Sequence, residues 1–243
     1  MHEWARMRWP EVPAAVAENP VALLPFGAIE EHGPHMVVGA DWLAAERLAR
    51  RIAERANLLL LPALPYGQVW SLGRFPGSIS ISDETLIQLV MEIGAGLKRN
   101  NVRGLILLSG HLGNVSALKK ASRKLLEDAV MPSISLFYPG LEHASKVAKT
   151  PRSHPTLIHS DEIETSLLLA LAPEAVDMSL AVSEYPEYPP DFDYSPLYWD
   201  EVSQSGVFGD SRAATAEEGE AIIQSVVEES LRIIKSWKER FGI

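Results

Sequence analysis

GLILLSGHLGN, residues 104–114, joins a short unbroken apolar run to a glycine-punctuated turn that carries a histidine. A run this short, bounded by turn residues, reads as a strand over Gly104–Leu108. A helical pattern follows from about Asn114 to Asp128, so the stretch is the turn of a strand–helix unit. The same alternation recurs on both sides. Val21–Leu24, Asn57–Leu61 (ended by Pro62) and Ser133–Phe137 read as further strands. Asp41–Ala56 reads as a helix, with Leu43, Arg47, Leu48, Ile52 and Arg55 at helical spacing. Ser82 opens a helix to about Arg99, with Asp83 and Glu84 favouring its N-terminal dipole. Ser160–Leu171 is the next helix, and Thr215…Glu218 at capping-box spacing opens the last, which runs to about Arg240. Alternating strands and helices predict an α/β fold on a parallel sheet. Two long irregular stretches remain, Tyr138–Ile158 and Glu184–Ser211, and loops of that length in a compact domain are usually functional or oligomer-forming. With no repeat or linker, residues 1–243 read as a single domain.

His111 therefore stands at the carboxyl end of a strand, the edge of an open parallel sheet where ligands usually bind. Gly110 and Gly113 permit a tight turn and close backbone approach to a ligand. Taken alone, His111 is equally a loop-capping histidine or part of a glycine-rich anion loop. FGAIEEHGPHMVVGAD, residues 26–41, sets two glutamates, two of the seven histidines and an aspartate just beyond another strand. Glu30 and His32 are two apart, so an extended backbone points them the same way. Glu31 then points the other way and reads as a bystander or a supporting residue, and His35 reads as structural or supporting. The plain alternative is a solvated loop with Asp41 as a helix cap. In HSDEIETS, residues 159–166, Ser160 can cap the helix and His159 is free to face a substrate. Glu164 shares a face with Leu168 and Leu171, where a carboxylate needs a partner or a metal.

The chain has 243 residues, 47% of them hydrophobic, and no run of about 18 apolar residues that would suggest a membrane span. Its first twenty residues do not read as a signal peptide. It has no cysteine, so any metal must be held by nitrogen and oxygen, and a cytoplasmic location is expected. A formal charge of −10 argues against nucleic acid and anionic membranes as partners.

LPFGAIEEHGPHMVVGAD, FPGSISIS at Phe75–Ser82, SGHLGN, HSDEIETSLLLALAPEAVDM and SGVFGDSRAATAEEGE together resemble the creatininase (creatinine amidohydrolase) family, in family order over nearly the full length. The resemblance implies a three-layer α/β/α sandwich on a mostly parallel sheet and a homo-oligomer, often a hexamer. It also implies two divalent metal ions, commonly zinc, manganese or iron. By motif, Glu30 and His32 match ligands of different metals, Asp41 the bridging carboxylate and His111 a further ligand. Glu164 matches the glutamate of the family's ETS motif, as ligand of the second metal or as its support. His159 matches a substrate-facing histidine that can protonate the leaving nitrogen.

This sequence departs from the family pattern at several points. Ser109 replaces the usual asparagine, Leu112 the first of two paired glycines, and Gly113 a metal-binding glutamate of creatininase itself. That favours Glu164 as the replacement ligand. The usual HAG reads His159–Ser160–Asp161, and no histidine precedes FPG. The expected activity is hydrolysis of a non-peptide amide, cyclic or formamide, by a dimetal-activated water, with a small-molecule substrate. A peptidase that trims a modified peptide and a non-catalytic metal-stabilised assembly are the alternatives. Arg74 reads first as a surface arginine and second as an anchor for an anionic substrate. The aromatic residues of Tyr185–Trp199 read first as subunit packing and second as a lid.

Overall fold

Backbone pairing joins His2–Glu3 (β1), Val21–Phe26 (β2), Leu59–Leu60 (β3), Gly104–Ser109 (β4) and Ser133–Phe137 (β5) into one sheet of order β1-β3-β2-β4-β5. Every neighbouring pair is parallel. The helices are Val12–Glu18 (α1), Ala40–Ala56 (α2), Asp83–Arg99 (α3), Val115–Glu127 (α4), Ala144–Val147 (α5), Glu162–Leu171 (α6) and Ala216–Phe241 (α7). Ser183–Glu184 (β6) and Gly209–Asp210 (β7) form a separate antiparallel ribbon. The computed structural model describes the backbone of residues 1–243 and every side chain except those of His143 and Ser145.

Strand side chains alternate between faces, and each face meets its own helices. Val21, Leu23, Ile106 and Leu108 pack with Leu48 and Ile52 of α2, Leu168 of α6 and Val226 of α7. Ala22, Leu24, Phe26, Leu105 and Leu107 pack with Val16 of α1, Leu86 and Val90 of α3, and Leu118 and Leu125 of α4. Three layers result, as expected for creatininase-like chains. Among the described residues no helix is long and apolar enough to cross a membrane.

Several boundaries differ from the sequence reading for local reasons. Asn57 does not begin a strand. It ends α2 in the left-handed region (φ 52°), and Leu58 N still bonds Ala53 O, so the ladder of β3 starts only at Leu59. Asp161, not Ser160, caps α6, accepting from Ile163 N and Glu164 N, while Ser160 itself is left-handed (φ 56°). The capping box of α7 is half formed. Thr215 Oγ1 accepts from Glu218 N, but Thr215 N donates to Ser166 Oγ and the Glu218 carboxylate pairs with Lys149 Nζ.

Both long irregular stretches are pinned by a buried or half-buried carboxylate. Glu162 accepts from Lys149 N and Thr150 N. Glu184 accepts from Ser203 Oγ, Gln204 N and Ser205 N.

The contact of α6 with α7 depends on Gly219, where a Cβ would lie 1.8 Å from Ser166 O. Gly219→Ala is expected to lower stability by about 1–3 kcal/mol through overpacking. Gly96→Ala, in helix α3 with nothing nearer than 3.7 Å to its Cβ, is expected to raise stability by roughly 0.5–1 kcal/mol. Urea unfolding midpoints of the two variants check the contrast, which fails if both shift the same way.

Candidate metal centre

Phe26 and Ser109 are register partners at the carboxyl ends of β2 and β4, so the turns that follow them emerge side by side. One turn carries Glu30 and His32, the other His111. Asp41 sits in the first turn of α2 and Glu164 in the first turn of α6. The fold thus brings all five expected ligands to one place, together with His159. Glu30, His32, Asp41, His111 and His159 are buried, and the Glu164 side chain is 16% exposed.

Asp41 lies at the middle. Its Oδ1 is 3.2 Å from His32 Nε2, and its Oδ2 is 3.0 Å from His111 Nδ1. Glu30 Oε1 stands 3.4 Å from His111 Nδ1, and Glu164 Oε2 stands 3.7 Å from His32 Nε2. Two donor groups therefore share Asp41: Glu30, Asp41 and His111, and His32, Asp41 and Glu164. A third close group is Glu30, His32 and His159. The rings are oriented from behind. His32 Nδ1 is 3.1 Å from Glu30 O, and His111 Nε2 is 2.6 Å from Gln68 O. A ring N–H donated to each carbonyl leaves the opposite nitrogen with its lone pair facing the carboxylates, the arrangement that orients metal-ligating imidazoles. Asn114 fixes that second carbonyl, accepting from Gln68 N and donating to Gly27 O.

Among the described residues three atoms here, Glu30 Oε2, His32 Nε2 and Asp41 Oδ2, are buried without a hydrogen-bond partner. Such orphans are costly, and cations held by the two donor groups would satisfy them. The nitrogen and oxygen donors suit zinc, manganese or iron. Gly113 supplies no ligand and has no room for one, because a Cβ there would lie 2.4 Å from both Gln68 O and His111 Nε2.

Without a cation, protons compensate the acidic cluster. Burial pushes Glu30 up to about 7. Burial opposes charge on both buried imidazoles, but Glu30 and Asp41 push His111 up to about 9, and Asp41 with Glu164 raises His32 strongly. Burial likewise works against ionised Asp41, yet His32 and His111 hold it well below the usual carboxylate range.

His159 Nδ1 faces the cluster, 3.6 Å from Glu30 Oε1 and 3.9 Å from Glu164 Oε2. Glu164 Oε2 also accepts from Ser160 N at 2.6 Å. His35 has a structural place, its Nε2 2.9 Å from Thr165 Oγ1, and burial lowers it to about 4. Glu31 belongs to none of these donor groups, and of its two expected places it takes the supporting one: Oε1 lies 3.0 Å from His159 Nε2, and Oε2 accepts from Gly33 N.

A cavity of about 100 Å³ opens on the cluster, walled by Leu72, Leu112, Tyr138, Ile158, Leu167 and Trp199. Trp199 packs edge-on against His159 at 5.5 Å. Arg74 lies outside the cavity, stacked 3.6 Å from the Tyr198 ring centroid and 3.0 Å from Glu201 Oε1. Sequence reasoning missed two contributors. The Gln68 carbonyl carries no side-chain signal. Tyr138, buried and left-handed (φ 37°), had one, since it directly follows a strand's carboxyl end.

A ligating imidazole must be neutral, whereas His32 and His111 are held protonated in the cation-free protein. Zinc uptake is therefore expected to release protons and to tighten as pH rises from about 6 toward about 9. Calorimetry in buffers of different ionisation enthalpy measures this, and buffer-independent heats would contradict it.

A family profile described as creatininase, creatinine amidohydrolase, matches residues 5–234. The chain is 31% identical to the creatinine amidohydrolase of Pseudomonas putida over 91% of its own length and 92% of the relative's. It is 30% identical to the mycofactocin precursor peptide peptidase of Mycobacterium tuberculosis, over 90% and 86% of the two lengths. A solved manganese form of creatininase superposes with a TM-score of 0.80 at 29% identity, covering 99% of this chain and 98% of that one, and a zinc–zinc form of a creatininase variant fits equally well. With the fold, the chain-long match and the metal-binding cluster in agreement, this chain belongs to the creatininase family of hydrolases.

Proposed function

We propose that the chain is a metal-dependent hydrolase of a small non-peptide amide, a cyclic amide or a formamide. The observation that carries this reading is the pair of donor groups sharing Asp41, among whose atoms three are buried without a hydrogen-bond partner. Glu30, Asp41 and His111 would hold one divalent cation, and His32, Asp41 and Glu164 the other. Bound there, such ions acidify water and polarise an amide carbonyl. The chain's own residues supply the rest. The Gln68 and Glu30 carbonyls lock the two imidazoles, Glu164 is steadied by Ser160 N, and Trp199 limits water above the cavity.

Amide hydrolysis forms a carbon–oxygen bond and breaks the carbon–nitrogen bond, and the departing nitrogen must gain a proton. His159 is the group placed to supply it. It lines the cavity, and its Nδ1 faces Glu30 and Glu164. The cavity's small volume and apolar walls favour a compact uncharged substrate over a polypeptide. Among the described residues no lysine or arginine lines it, and Arg74 is engaged elsewhere.

Metal analysis joined to a panel of cyclic amides, formamides and short peptides tests the proposal. Glu30→Gln, Asp41→Asn and His111→Ala are expected to lose bound metal and turnover together. His159→Ala is expected to keep metal and lose about 10²–10⁴-fold in kcat. Unchanged metal and rate in Glu30→Gln would refute the ligand assignment. Turnover of peptides alone would make the protein a peptidase. A metal-loaded protein inert on the whole panel would be a binding protein.

A further inference from the structure

We propose that Glu31 is the positioning residue for His159. It fixes the ring with Nε2 carrying the hydrogen and Nδ1 presented to the cavity, so that Nδ1 is the atom through which the proton passes. This rests on the proposed hydrolytic role of His159, but the tautomer can be tested without it. Glu31 is 8% exposed, and its Oε1 is 3.0 Å from His159 Nε2. A carboxylate only accepts, so the shared hydrogen sits on Nε2 and the neutral ring keeps its lone pair on Nδ1. Glu31 belongs to none of the three close donor groups, which leaves it free for this task.

Glu31 is itself held on several sides. Gly33 N donates to Oε2 at 3.0 Å, and Glu31 N donates to Ser78 Oγ at 3.1 Å. Gly206, left-handed at φ 74°, lies so close that a Cβ there would fall 1.9 Å from Glu31 Oε2. The residue that touches the proton donor is thus supported by a loop more than 170 residues downstream in sequence, within the SGVFGD motif that the metal cluster does not use. The ring has little freedom to turn. Trp199 and Phe208 meet it edge-on at 5.5 and 5.7 Å, and Phe208 N donates to His159 O. When His159 takes up a proton, the new N–H lies on the cavity side while Glu31 balances the imidazolium charge from behind. The same division of labour between a carboxylate and an imidazole recurs in hydrolases of unrelated fold.

The test uses the zinc-loaded full chain. Nitrogen-15 NMR of the histidine rings, with His159 assigned by its absence in His159→Ala, is expected to show one Nε2–H tautomer in the unsubstituted protein. Glu31→Gln, whose amide can also donate, and Glu31→Met are expected to give a mixture or the Nδ1–H form while keeping zinc. On the amide turned over fastest, Glu31→Gln is expected to lower kcat about 10²–10⁴-fold with KM within roughly twofold, and Glu31→Asp to recover part of the loss. In a His159→Ala background, Glu31→Gln is expected to add nothing, because the two act as one unit. A single Nε2–H tautomer retained in both Glu31 variants overturns the proposal. So does loss of zinc from Glu31→Gln, which would make Glu31 part of the metal-holding set. If no amide is turned over, the hydrolase reading fails, and the tautomer still decides the Glu31–His159 pair.

Discussion

Asp41, buried at 3% exposure between two imidazoles, is the constraint around which the rest of the structure is arranged. A carboxylate so placed is untenable alone, since burying an uncompensated charge costs several kcal/mol. It needs His32 and His111 in fixed orientation, and those rings come from different turns. A parallel sheet answers this requirement, because every strand delivers its carboxyl end to the same edge. The register of Phe26 with Ser109 makes the two turns neighbours. The start of α2 then lays Asp41 across both, and α6 closes the group with Glu164.

Much of this was legible in the chain because it is periodic or local. The apolar runs of β2, β4 and β5 and the helical spacing of α2, α3 and α7 are short-range patterns. Glu30, His32 and His111 could be grouped because each follows the end of a predicted strand, whereas Asp41, at the start of a helix, joined them only through the family motif. Glu31 stayed undecided between bystander and support for a physical reason. Alternation along an extended segment tells which way a side chain leaves the backbone, but not what waits there. Its partner His159 is 128 residues away, just ahead of the Asp161 cap of α6. Arg74 and Trp199 were ambiguous for the same reason. Their places are set by contacts with Tyr198, Glu201 and Phe208, within a stretch whose end is pinned by Glu184. The shortening of β3 was hidden in a single left-handed asparagine.

The departures from the family pattern now have structural meaning. Gly113 cannot be a ligand position here, because the Gln68 carbonyl and the His111 ring fill the space a side chain would need. Glu164 stands where it can complete the second donor group. The cavity sets apolar walls, with Tyr138 and Trp199, beside Glu30, His111 and Glu164.

The central claim is that two cations share Asp41. Anomalous diffraction from crystals of the protein loaded with zinc or manganese tests it most directly. The account predicts two peaks flanking Asp41, one contacted by Glu30 and His111 and the other by His32 and Glu164. A single peak, or a second ion held without Asp41, would contradict it.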